Sequence, residues 1–199
     1  MSRTPLPGWD LVVRLSHWSI AVVVIANGLI TGGGSALHVA LGWGGGLILL
    51  MRLIWGVIGR TEARFTSFPP APFKALAHVG DLMRGKPREH ASHNPAGALM
   101  IYALWLSLAI VIGTGLVMTK AATPWEISAQ QAIVDSGDWS QLAPTEGEED
   151  GEEEGVLKEV HEIFANLMLI LAVVHVAGVG IESRMLRRNL VKPMITGKP

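Results

Sequence analysis

Glu159-Val160-His161-Glu162-Ile163-Phe164-Ala165-Asn166-Leu167-Met168-Leu169-Ile170-Leu171-Ala172-Val173-Val174-His175-Val176-Ala177-Gly178-Val179-Gly180-Ile181 is the stretch that decides the fold. It is long and apolar enough to cross a bilayer as a helix. It also carries two histidines, His161 and His175, fourteen residues apart. At roughly 100° per residue they fall within about 40° of each other, and at roughly 1.5 Å per residue they lie about 21 Å apart along the axis. One helix therefore offers an imidazole near each surface of a membrane. Ionisable side chains are costly to hold inside a spanning segment, so their presence points to function.

The remainder of the chain agrees with a membrane setting. Of 199 residues, 49% are apolar and 17% charged, and mean hydropathy is +0.37. The charges gather in blocks, as in a small polytopic membrane protein rather than a soluble domain. There is no cysteine. That excludes disulfides, thiolate metal sites, iron–sulfur clusters on this chain and covalent c-type haem attachment.

Four spans are expected, at about 11–31, 37–58, 95–118 and 157–182, forming an all-α four-helix membrane bundle as a single domain over residues 1–199. The first is too long for the apolar core of a signal peptide and houses His17. The second begins at His38 and carries Gly42, Gly44, Gly45 and Gly46, which suit the close approach of a helix or of a flat cofactor. The third opens on Asn94-Pro95, with proline at a tolerated first-turn position. Two short surface helices are expected in the connections, over Phe73–Arg84 and Trp125–Val134.

Charge orients the spans. The connection 59–94 carries Arg60, Arg64, Lys74, Arg84, Lys86 and Arg88, and the tail carries Arg184, Arg187, Arg188, Lys192 and Lys198. The connection 119–156 is acidic, and its part from Thr145 to Gly155 is expected to be low-complexity and mobile. Basic loops stay in the cytoplasm, so both termini are placed inside and the acidic loop outside, in the periplasm of a Gram-negative cell.

With that topology the histidines sort by depth. His17 and His175 lie near the inner face, and His38 and His161 near the outer one. Two imidazoles on facing helices are what a six-coordinate b-type haem iron requires, so the pairs predict two non-covalent haems b. Taken singly, a membrane histidine also suits a hydrogen bond between helices. Arg14 and Arg52, just inside the cytoplasmic boundary, suit either snorkelling or charge-assisted pairing with propionates of the inner haem. His78, His90 and His93 sit in the basic connection as solvated or structural residues; His93, at the mouth of the third span, also suits an inner ligand or a quinone site. Asn166 and Thr114 are expected to bond across helices.

Several motifs carry a resemblance. Arg14-Leu15-Ser16-His17-Trp18, Leu53-Ile54-Trp55-Gly56-Val57-Ile58-Gly59-Arg60-Thr61-Glu62-Ala63-Arg64-Phe65, His93-Asn94-Pro95-Ala96-Gly97 and the close, Asn189-Leu190-Val191-Lys192-Pro193-Met194-Ile195-Thr196-Gly197-Lys198, resemble the bacterial cytochrome b561 family. That family includes the cytochrome b subunits of nickel–iron hydrogenases. The resemblance implies two b haems ligated from the first, second and fourth helices, which carries onto His17, His38, His161 and His175. The acidic stretch departs from compact members.

The function expected is electron transfer in the bacterial inner membrane, between quinone and a periplasmic partner such as a c-type cytochrome. An acidic loop would speed encounter with a basic partner, or simply be solvated. The same features suit a haem anchor of a hydrogenase or dehydrogenase, or a superoxide:quinone oxidoreductase. A haem-free transporter or scaffold is the reading from a different class. Lipid and quinone are the expected small partners, with no nucleic acid.

Overall fold

The computed structural model describes residues 8–86, 93–137 and 148–198, with backbone alone for 148–154. The first residues of the lead (Pro5 and Pro7 among them), Arg88, His90 and Thr145–Gly147 lie outside the described residues. Among the described residues every regular element is helical. The elements are α1 (Leu11–Leu29), α2 (Ala36–Ile58), two 3-10 turns (Thr61–Ala63 and Phe65–Ser67), α3 (Pro72–Met83), α4 (Pro95–Met118), α5 (Pro124–Ser136), α6 (Glu148–Met185) and α7 (Lys192–Thr196).

Among the described residues four helices are long and apolar enough to cross a membrane: α1, α2, α4 and the Gly155–Met185 part of α6. Their apolar side chains point outward. Only 6% of the apolar window of α6 is buried, and Val22, Leu47, Ile170, Val173 and Val176 are each more than half exposed. In water that arrangement would forfeit the hydrophobic contribution to folding; against lipid tails it costs nothing. The chain is an all-helical membrane protein.

The local sequence explains the ends. Asp10 precedes α1 and accepts from the Val13 backbone N–H at 2.9 Å, satisfying one of the orphan donors of the first turn. Thr123 and Glu126 form a capping box on α5: Glu126 N–H donates to the Thr123 hydroxyl, and Thr123 N–H to the Glu126 carboxylate. Hydrogen bonds from the Thr123 hydroxyl and backbone hold the Glu126 carboxyl below the usual carboxylate range. Gly137 ends α5 at φ 75°, a left-handed conformation that glycine adopts without strain.

One boundary corrects the expectation. The acidic stretch does not stay irregular up to Gly155, because α6 already begins at Glu148. Glutamate is a good helix former, and negative charge is favourable at a helix N-terminus. α6 is 38 residues long, about 57 Å, so it outreaches a hydrocarbon core of about 30 Å.

The chain divides into two compact units. One comprises Met1–Ser19, Ile48–Leu106 and Ile170–Pro199; the other comprises Ile20–Leu47 and Ser107–Leu169. Every spanning helix contributes to both. In the second unit Gly45 and Gly46 serve close helix packing. A methyl at Gly45 would sit 3.1 Å from a Val23 methyl, and one at Gly46 3.4 Å from Ile112. Gly42 and Gly44 border open space.

Candidate haem sites

In the second unit α2 brings His38 to face His161 of α6. Their ring centres are 6.2 Å apart, with planes at 54°. Each ring is held from behind by a threonine. Thr31 Oγ1 lies 3.2 Å from His38 Nδ1, and Thr114 Oγ1 lies 3.0 Å from His161 Nδ1.

A hydroxyl has one hydrogen to give. Thr114 is also 2.8 Å from the Ile110 carbonyl and 3.1 Å from that of Val111. Both are acceptors; a hydroxyl that donates to either one accepts from His161 Nδ1–H. Thr31 has the Asn27 side-chain oxygen at 3.1 Å and the Asn27 carbonyl at 3.4 Å beside it, so a hydroxyl that donates to Asn27 likewise accepts from His38 Nδ1–H. In that arrangement each ring keeps the lone pair of Nε2, the tautomer that a metal ligand needs. Gly115 lies alongside, where an added methyl would stand 3.4 Å from His161 Cε1.

In the first unit α1 brings His17 to face His175 of α6, again with ring centres 6.2 Å apart, at 57°. Here, among the described residues, nothing braces the ring of His17 in the same way: its Nδ1 is buried without a hydrogen-bond partner. The helix that carries it is fixed instead. Arg14 donates from Nε to the Met194 carbonyl at 3.4 Å and from Nη2 to the Ile195 carbonyl. Trp18 Nε1 donates to the same Met194 carbonyl at 3.2 Å. The residues flanking His17 thus grip α7, whose Pro193 is fully buried.

Arg52 is buried in the same unit. It reaches the Ala63 carbonyl with both terminal nitrogens at 3.4 Å and lies 4.9 Å from the Trp105 ring centre. Trp105 belongs to an aromatic cluster with Phe65, Phe68 and Tyr102. His93 stands between Trp9, at 4.8 Å, and Phe68, at 4.5 Å. Burial first, and then the positive charge of Arg52, push its pKa down to about 4. His78 is buried on α3, with Nε2 3.6 Å from a carboxylate oxygen of Glu182. Asn94 donates its side-chain N–H to the other oxygen.

The family pattern of prokaryotic cytochrome b561 matches residues 8–197. The chain belongs to the prokaryotic cytochrome b561 family. That family stands for haem-b electron transfer in membranes. No curated protein and no solved structure matches the chain.

For a cytochrome b561 the two imidazole pairs fit the cofactor. A metal–imidazole bond of about 2.0 Å, with the nitrogen about 1.1 Å from its ring centre, would put two facing rings that share one metal about 6 Å apart. Both pairs stand at that separation. Among the described residues no three His, Cys, Asp or Glu side chains converge on a bare metal ion. A pair of facing imidazoles suits a b-type haem, whose iron histidine side chains would hold.

Sequence reasoning missed Thr31, Asp10 and Glu182, and gave Trp18 no contact beyond its place in the Arg14–Trp18 motif. Thr31 follows Asn27 by one helical turn and precedes His38 by seven residues; only the turn between α1 and α2 brings it onto that ring. Glu182 offered a signal that was there to read: a carboxylate seven residues after His175, within two helical turns on the same face.

Proposed function

We propose that this cytochrome b561 carries two haems b and passes electrons between membrane quinone and a redox protein on the far side, such as a c-type cytochrome. The observation that carries the reading is the recurrence of one geometry: two histidine pairs, each with ring centres 6.2 Å apart. His17 and His175 hold the haem near the cytoplasmic face, and His38 and His161 the one near the outer face. Haem supplies one-electron redox chemistry; everything else is the work of the chain.

Thr31 and Thr114 keep the His38 and His161 rings in the ligating tautomer and orientation. Arg52 supplies a buried positive charge for propionates of the haem at His17 and His175. Arg14 is assigned to the same group through the donors left after its two carbonyl bonds, since a guanidinium has five. The apolar walls of the spans keep water away, which strengthens charge interactions inside. The asymmetry of basic and acidic connections supports both termini in the cytoplasm and location in the inner membrane.

The test is haem content and redox titration of the purified chain and its variants. Two haems per chain are expected. His38→Ala and His161→Ala should each remove the same haem, and His17→Ala and His175→Ala the other. Complete loss of b-type absorption from His38→Ala alone, or full retention in all four, would defeat the assignment.

A further inference from the structure

Helix α3 packs on the protein by one side only. Ala75 and His78 are buried, and His78 sits against Glu182 of α6. A second side is apolar and open: Phe73 and Met83 are each 85% exposed, Leu76 71% and Val79 43%. At 100° per residue these four fall within an arc of about 120°, beside the buried side rather than opposite it. Lys74 and Asp81 fall on the remaining side. The helix therefore has a protein face, an apolar face and a charged face.

The apolar face leaves four large side chains open, and the charges near it say what covers it. Arg60, Arg64, Lys74, Arg84 and Lys86 are exposed on α3 and the segments before and after it, against Glu62 and Asp81, the last 3.9 Å from Arg84. An excess of cationic side chains beside an apolar stripe matches a leaflet bearing anionic headgroups, the basic side chains reaching phosphates while the stripe enters the acyl boundary. We infer that α3 is an in-plane docking element for anionic phospholipid, with Phe73, Leu76, Val79 and Met83 in the acyl boundary and Lys74, Arg84 and Lys86 at the headgroups. This goes beyond the proposed electron transfer. It rests on the chain spanning a membrane and not on haem, so the two can fail separately.

The chain has no cysteine, so single labels are clean. The full-length protein, as Leu76→Cys, Met83→Cys or Lys74→Cys, is labelled with a small environment-sensitive fluorophore. Each is placed in vesicles of phosphatidylcholine, alone or with phosphatidylglycerol. These positions are exposed, and unchanged helix content verifies the fold. Labels at positions 76 and 83 should be quenched by a nitroxide on the lipid chain and shielded from aqueous iodide, with the label at 74 reversed. Phosphatidylglycerol should increase the lipid quenching severalfold, and Arg84→Glu with Lys86→Glu should abolish that increase. Iodide reaching all three labels alike would overturn the inference. So would shielding from both quenchers, which means that protein covers the face. Equal lipid quenching in both vesicle types would overturn the anionic preference.

Discussion

Thr114 Oγ1 stands 3.0 Å from His161 Nδ1, with the Ile110 carbonyl of its own helix 2.8 Å away. Thr31 Oγ1 stands 3.2 Å from His38 Nδ1, with the Asn27 side-chain oxygen 3.1 Å away. Thr31 comes from the turn after α1 and Thr114 from α4, and they meet facing rings alike, while among the described residues His17 Nδ1 has no such partner.

Thr114→Val keeps the shape and removes the acceptor. Partners behind a metal-bound histidine are typically worth 10–100-fold in affinity, so haem at His38 and His161 should bind weaker by about that factor. The haem at His17 and His175 should be unaffected. Haem titration resolved by redox potential checks this; equal loss at both sites would point to general unfolding.

Glu182→Ala should destabilise the protein. The carboxylate accepts from Asn94 and faces His78, joining α3, the start of α4 and α6. Removing it leaves the half-buried Asn94 donor without this acceptor, at a cost of about 1 kcal/mol. Thermal unfolding in detergent measures it. Glu182→Gln, which keeps one acceptor oxygen, should recover part of the loss.

Gly56→Ala tests the packing of α2 against the turns that follow it. A methyl there would overlap the ring of Phe65, which is itself packed against Tyr102 and Trp105. Overpacking of this kind typically costs about 1–3 kcal/mol. Combining Gly56→Ala with Phe65→Leu should relieve much of it, an outcome visible in the same melting experiment.

Acid should weaken the fold through His93. Its folded pKa is pushed down to about 4 from 6.5. Between those values the unfolded chain holds the proton and the folded one does not, so stability rises with pH across that window. The contribution is complete above pH 6.5 and falls away as pH drops toward 4, by about 3 kcal/mol at most. His93→Phe keeps a ring between Trp9 and Phe68 and should flatten this part of the pH profile.

Electron exchange with a basic c-type cytochrome should slow as salt rises. The run from Glu148 to Glu154 puts acidic residues on the first turns of α6, and steering between opposite charges is screened within about 10 Å at 0.1 M salt. Stopped-flow rates at several ionic strengths, with the run replaced by glutamine and serine, provide the check. A rate indifferent to both would remove the docking role.

Hydropathy alone determined the four spans, because a bilayer admits only long apolar helices and leaves their outward faces apolar. The spacing of His161 and His175 likewise foretold two imidazoles on one side of one helix, since helical rise and rotation are fixed by the backbone. The short helices over α3 and α5 were legible from their flanking prolines and charge. What only the tertiary structure decided depends on groups far apart in sequence: Thr114 on His161, Arg14 and Trp18 on the carbonyls of α7, Glu182 between His78 and Asn94. The start of α6 at Glu148 was hidden for another reason. An acidic run reads as loop by composition, yet as the N-terminal extension of a long helix it is favoured by glutamate propensity and the helix dipole. Periodicity reports how a segment coils and which side is apolar; it carries no information about which partner that side will meet.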